Sequence, residues 1–291
     1  MCILVNERTR VLVQGITGRL GLLQTKLMLD SGTKIIAGVT PGKGGEKVHG
    51  VPVYDSVNDA LKEHEADVSV IYVPAPFVKD AVFEATDGGI PFLVIISDWI
   101  PVHDALEIYA YARQKNTRYI GPNCPGIIIP EQTNLGMISP SAVTPGNIAV
   151  ISRSGSLTGE ITSMLTKAGL GQSVILGIGG DSIIGMRTAE VIELLEDDEH
   201  TEIIVIIGEI GGTMEEEAAQ YIKEYVTKPV FAFIAGRNAP LEKRMGHAGA
   251  IITRGRGTAQ SKIRALKRVG VKVTETPFSL PSMILEITEK K

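Results

Sequence analysis

The sequence predicts an α/β protein built as two consecutive doubly wound domains, and three observations carry that expectation. Short runs rich in Val and Ile alternate with amphipathic stretches, as when parallel strands are covered on both faces by crossover helices. The 291 residues exceed the usual size of one domain and suit two cores. The 32 glycines accompany 44% hydrophobic and 21% charged residues, so they mark backbone turns in a folded chain, not a disordered one.

Taken in order, the first half places strands at Arg10–Gly15, Lys34–Val39, Val68–Pro74, Phe92–Ser97 and Arg118–Asn123, with helices between them. The run "GLLQTKLMLDSG" has apolar residues at helical spacing and ends on a capping glycine. After a Pro- and Gly-bearing connection from Pro125 to Gly146 the pattern restarts. Strands are expected at "NIAVIS", "SVILGIG", "EIIVIIGE", "PVFAFIAG" and "VKVTE", and helices near Leu157–Ala168, Met186–Glu196, Met214–Val226 and Thr258–Val269. The acidic runs "EDDEH" and "MEEEAAQ" are expected as solvated helix ends.

Composition removes several function classes. A net charge of −4 disfavours a nucleic-acid surface. Cys2 and Cys124 alone give neither a disulfide framework nor metal-ligand spacing, so no metal site is expected in the chain. The N-terminal stretch carries charge within its first ten residues and has no secretory pattern, and no apolar run approaches the roughly 20 residues that span a bilayer. The expectation is a cytoplasmic protein without a membrane partner.

The first chemistry-bearing motif is "VLVQGITGRLG", a strand entering Gly15, Gly18 and Gly21 ahead of a helix. Such a junction turns backbone N–H groups and a positive helix end toward an anion, most often a phosphate. A dinucleotide fold usually adds an acid about 20 residues on, to hold a ribose 2′-hydroxyl. Here "AGVTPGKGG" has none and offers Lys43, which suits an extra phosphate as on coenzyme A or NADP. A structural tight turn and a solvated lysine remain the alternatives at this point.

Motifs along nearly the whole chain resemble one family: "QGITGRLG", "GTKIIAGVTPGKGG", "VIYVPAPFVKDA", "RYIGPNCPGII", "SRSGSLT", "GIGGD", "IGEIGG" and "KRMGHAGAII", in this order and spacing. They resemble the α subunit of succinyl-CoA synthetase, a succinate–CoA ligase. The resemblance implies a Rossmann-like CoA-binding domain over residues 1–125 and a flavodoxin-like ligase domain over residues 126–291. It also implies coenzyme A, not NAD, at Gly15, Thr17, Gly18, Arg19, Leu20, Lys43, Pro74, Ile96, Ser97, Asp98 and Asn123.

The same resemblance makes His247 a phosphohistidine. A carrier of phosphorus needs a nucleophile that is substantially neutral near pH 7, and imidazole, with an ordinary pKa of about 6.5, meets that requirement. Gly246, Ala248 and Gly249 leave room for a dianion around it. The other histidines, His49, His64, His103 and His200, are expected at the surface. Glu209, at a strand end, can bond the imidazole and fix its tautomer. Ser154, Gly155 and Ser156 open a helix whose N-terminus suits a phosphate.

The chain departs from the family pattern at Gly159, where succinate enzymes carry tyrosine close to the organic acid. "SDW" (Ser97 to Trp99) stands for "TEG", and "GGDSIIG" for "GGDPIPG". Malate or a related dicarboxylate therefore stands beside succinate as the acid, and a CoA-binding regulatory protein without catalysis is the rival from another class. The chain has no "GxxxxGK[ST]" nucleotide loop. The resemblance brings ATP or GTP with Mg2+ through an ATP-grasp β subunit, in an αβ or α2β2 assembly.

Overall fold

The computed structural model describes residues 4–239, 247–252 and 257–288. The first half contributes β1 (Arg10–Gln14), α1 (Arg19–Asp30), β2 (Lys34–Val39), β3 (Lys47–Val48), β4 (Val51–Tyr54), α2 (Val57–Glu63), β5 (Val68–Ile71), α3 (Val78–Asp87), β6 (Phe92–Ile95), α4 (Val102–Gln114) and β7 (Arg118–Ile120). Its sheet runs β3-β4-β2-β1-β5-β6-β7, parallel except for the β3–β4 pair. Without β3 this is the Rossmann order, which reverses direction between β1 and β5.

The second half contributes β8 (Gly126–Ile129), β9 (Thr133–Gly136), β10 (Pro145–Ser152), α5 (Gly155–Lys167), β11 (Gln172–Gly177), α6 (Thr188–Glu196), β12 (Ile203–Glu209), α7 (Met214–Tyr225), β13 (Val230–Ala235), α8 (Ala259–Arg268), β14 (Lys272–Thr274) and α9 (Leu280–Thr288). The order β14-β13-β12-β10-β11 is flavodoxin-like, and its switch point lies at β10, between β11 and β12. Strand β12 reads "IIVIIGE" with every residue buried, as expected of a parallel strand covered on both faces.

The connection from Pro125 to Gly146 is more structured than its composition suggests. It holds the β8–β9 hairpin, whose first strand pairs antiparallel with β11. Gly126 and Gly136 face each other so closely that a Cβ on either would lie 2.7 Å from the other's Cα. That close pair requires glycine on both strands, beside the three isoleucines that complete β8. The hairpin also ties the halves together: Tyr72 Oη donates to Gly136 O at 3.2 Å, and Thr33 Oγ1 to Asn134 O at 2.9 Å. One hydrophobic cluster runs through both sheets, from Val13 and Val70 to Leu176 and Ile206.

The acidic runs depart from expectation. Asp198 and Glu215 are buried, because each finds a partner inside: Thr201 Oγ1 for Asp198 and the ammonium of Lys262 for Glu215. Of the four remaining histidines, His49, His103 and His200 are exposed and His64 is half-buried against Tyr54.

Candidate active site

The first switch point opens into a cavity of about 690 Å3. Of the residues expected at coenzyme A, Gly15, Thr17, Gly18, Arg19, Leu20 and Pro74 line it; Thr40, Pro41 and Phe77 also line it and were not expected there, although they lie inside the quoted motifs "GTKIIAGVTPGKGG" and "VIYVPAPFVKDA". Gly15 adopts φ +78°, and a Cβ on Gly21 would fall 2.2 Å from Gly15 O, so this junction closes only with glycine at both places. Gly18 caps α1 with no side-chain hydrogen bond, which leaves first-turn N–H groups available to an anion.

Lys43, Ile96, Ser97, Asp98 and Asn123 stand apart from that lining. Lys43 is exposed beyond β2 and pairs with Glu46 at 3.1 Å. Ile96 is buried and Asp98 exposed, while Ser97 Oγ donates to Val73 O on the cavity wall. From there a hydrogen-bonded track leads to the second site. Asn123 N donates to Ser97 O at 2.8 Å, Asn123 Nδ2 to Asp181 Oδ1 at 3.1 Å, and Gly180 N to Asn123 O at 3.0 Å. Gly180 in turn lies flat on the imidazole: a Cβ there would sit 2.6 Å from His247 Cγ.

The second site gathers at the β10 switch point. Strand β12 delivers Glu209, whose carboxylate oxygens lie 2.9 and 2.8 Å from His247 Nδ1. In the neutral ring Nδ1 therefore carries the proton and Nε2 the lone pair; among the described residues nothing hydrogen-bonds Nε2. The Glu209 carboxylate raises the His247 pKa above its ordinary value, partly offset by burial and by the charge of Arg153. Arg153 is buried, donates Nη1 to Gly211 O at 3.2 Å and holds Nη2 3.7 Å from Glu209 Oε1. Asp181, on the loop after β11, has its pKa raised chiefly by burial. The loop that carries His247 closes on the same elements, with Gly249 N donating to Gly180 O at 3.0 Å. Gly246 lies outside the described residues.

Helix α5 starts beside this cluster. Ser154 caps it by accepting from Leu157 N at 3.4 Å, while Gly155 and Ser156 are exposed in the first turn. Among the described residues, a Cβ on Gly159 would meet nothing within 4 Å, at the position where the resemblance leads one to expect tyrosine. Arg153 and Asp181 were not singled out from sequence, although both lie inside quoted motifs, "SRSGSLT" and "GIGGD". A buried arginine leaves no periodic trace that distinguishes it from a solvated one. The cysteine in the track, Cys124, is buried and its thiol is pushed up to about 12, which makes it inert. Among the described residues, the triad His103, Asp104 and Glu107 has ligand atoms within reach of a metal, but it lies on α4, and Lys79 already pairs with both acids.

A Rossmann half with a cavity at its switch point, joined to a flavodoxin half with a carboxylate-bound imidazole at its own, defines the class. Residues 6–99 match the model of the CoA binding domain, and residues 151–272 that of CoA-ligase. The chain is 55% identical over 287 residues to succinate–CoA ligase (ADP-forming) subunit alpha 2 of Archaeoglobus fulgidus, covering 99% of this chain and 100% of that one. It is 48% identical to the alpha subunit of the Staphylococcus aureus enzyme over 290 residues, 100% of this chain and 96% of the relative. The chain belongs to the α-subunit family of the succinate–CoA ligases. In structure it resembles ATP citrate lyase of Methanosaeta concilii, with TM-score 0.89 at 24% identity, spanning 99% of this chain and 51% of that longer one. It also resembles PH0766 of Pyrococcus horikoshii, with TM-score 0.71 at 26% identity, over 93% of this chain and 58% of that one. The first of these likenesses bears on the fold alone.

Proposed function

We propose that this chain is the α subunit of an acid–thiol ligase that joins succinate to coenzyme A with conversion of ATP to ADP and phosphate, and that His247 carries the phosphoryl group. The observation that carries this reading is the two-oxygen approach of Glu209 to Nδ1, which fixes the tautomer and leaves Nε2 as the nucleophile. Nε2 attacks the γ-phosphorus, the P–O bond to ADP breaks, and a phosphoramidate forms. A carboxylate oxygen of the acid then displaces the imidazole from phosphorus to give an acyl phosphate. The CoA sulfur attacks the acyl carbon, phosphate leaves, and the thiol proton passes to solvent or phosphate.

The chain's own residues bind and orient. The cavity after β1 and the α1 N-terminus would hold coenzyme A, with Lys43 at its extra phosphate and Ile96, Ser97, Asp98 and Asn123 along the arm that leads toward His247. Ser154, Gly155 and Ser156 would receive the phosphate at the start of α5. The division between the CoA and ligase units would fall at residues 125 and 126.

Magnesium and nucleotide would arrive together as a substrate on an ATP-grasp β subunit, in an αβ or α2β2 assembly. The ligand triad on α4 is no alternative for that ion, since both of its carboxylates already pair with Lys79. Succinate and ATP are proposed because the relatives at 48–55% identity are named for succinate and for ADP formation. The malate-type and non-catalytic readings are not favoured by those names. No helix among the described residues is long and apolar enough to cross a membrane, and the cytoplasm is the proposed location. A panel of carboxylic acids, assayed for CoA-dependent phosphate release by the chain with its β subunit, tests the reading. Succinate should turn over fastest; a stronger preference for malate would contradict it.

A further inference from the structure

Two helices behind the active site carry charges that ordinary core packing does not call for. Lys262 on α8 and Glu215 on α7 are 0% and 1% exposed, and they form an ion pair. Burying such a pair removes two charges from water, and well-packed apolar side chains of equal volume often serve stability as well or better. The local work of the pair is visible in its contacts.

An ammonium has three donors, and Lys262 uses all of them at one place. Nζ donates to Glu209 O at 2.8 Å, to Gly211 O at 2.6 Å, and to Glu215 Oε2. Glu215 Oε1 accepts from Glu209 N at 3.2 Å, so both backbone groups of Glu209 are held by this one pair. Gly208 makes room for it, since a Cβ there would lie 2.6 Å from Glu215 Oε1. Gly211 O also accepts from Arg153 Nη1, the guanidinium that faces the Glu209 carboxylate. The hydrogen bonds thus run from α7 and α8 through the end of β12 to the acid that holds the imidazole.

We propose that the Lys262–Glu215 pair is a positioning device that fixes the end of β12 and thereby aims Glu209 at Nδ1 of His247. It deepens the phosphohistidine reading and rests on it. Neither side chain touches a reacting atom. The pair sets the backbone from which the orienting carboxylate projects, and a misplacement near 1 Å at such a point can slow a reaction by roughly a hundredfold.

The test compares the parental αβ complex with complexes carrying K262M/E215L, which removes both charges, and K262M/E215Q, which keeps an acceptor for Glu209 N–H. Three quantities are measured: the rate of γ-labelling of His247, the titration of its imidazole by NMR, and thermal unfolding. The groups that face this imidazole are Glu209 from β12, Arg153 from the β10–α5 junction and Asp181 from the β11–α6 loop. K262M/E215L should label on the order of tenfold to a hundredfold more slowly. Its imidazole pKa should fall toward the ordinary value, while the unfolding temperature stays close to the parent's. K262M/E215Q should lie between. A merely structural pair would move the unfolding temperature and leave the titration alone.

Parental labelling and titration in a folded K262M/E215L complex would overturn the proposal. If the double variant does not fold, Gly208→Ala pushes on Glu215 without removing a charge. It should slow labelling in the same direction, and an unchanged rate and titration there would overturn the proposal equally. If the parent itself takes up no label, the phosphoryl reading fails, and the imidazole titration still decides whether the pair aims Glu209.

Discussion

The two switch points of this molecule solve different problems with the same architecture. At the first, the cavity is made from backbone and apolar walls: Gly15, Gly18 and Gly21 bring main chain close, α1 begins without a side-chain cap, and Lys43 stands outside, paired with Glu46. At the second, side chains do the work: the buried Glu209, Arg153 and Asp181 form a charged cluster around the half-buried His247. A ligand that must enter and leave is met by preformed N–H groups that cost little to desolvate. A covalent carrier needs its tautomer and angle fixed, and here the Glu209 carboxylate at Nδ1 supplies that.

The comparison breaks most visibly at Glu209. Replacing it by Gln removes the charge from Nδ1 and should slow phosphorylation of His247 by about a hundredfold, with CoA affinity unchanged in a calorimetric titration. The pH profile moves as well. Attack requires neutral imidazole, so in the parent the labelling rate should climb as pH rises through the raised pKa of His247. In Glu209→Gln that climb should occur at lower pH, nearer the ordinary value of about 6.5. The Glu209–imidazolium contact also stabilises the fold fully below about pH 6.5 and loses that contribution as pH rises through the folded pKa.

The opposite break is at Gly15. An alanine there must adopt φ +78° against Tyr72 and Val73. The strain, about 1–2 kcal/mol, should weaken CoA binding roughly tenfold and leave His247 labelling intact. Loss of both functions together would show that the two switch points are not separable.

Gly159→Tyr sharpens the comparison on the acid side. Because a Cβ at this position meets nothing within 4 Å among the described residues, the fold should keep its unfolding temperature. A regained hydrogen bond to a charged acid, about 1.5 kcal/mol, should lower the succinate KM by roughly tenfold. The smallest expected effect is at Lys43. Its replacement by alanine should weaken CoA about fivefold, the scale of an exposed ion pair, and leave dephospho-CoA unaffected in the same titration.

Legibility in the sequence followed the same division. The β1 and β12 strands and the glycine junction after β1 could be read, because each lies in a motif whose residue types are themselves the signal; the roles expected of His247 and Glu209 came from the family resemblance, since a lone histidine among small residues is no signal by itself. Lys262 and Glu215 could not: a lysine and a glutamate at helical positions read as solvated, and only the packing of α7 and α8 behind β12 turns them inward. The β8–β9 hairpin was hidden by punctuation, since Pro125, Gly126 and Gly136 read as a connection although Ile127, Ile128 and Ile129 are β-branched. Helix α9 follows Pro277 and carries Pro281 as its second residue, and both read as loop punctuation although each sits at a helix start.

The most direct test of the central claim is covalent. The αβ complex is incubated with γ-labelled ATP, and the label is located by proteolysis and mass spectrometry. The account predicts acid-labile, base-stable phosphate on His247, absent from His247→Asn, together with loss of thioester synthesis in that variant. A correctly assembled His247→Asn complex that makes succinyl-CoA at the parental rate would contradict it.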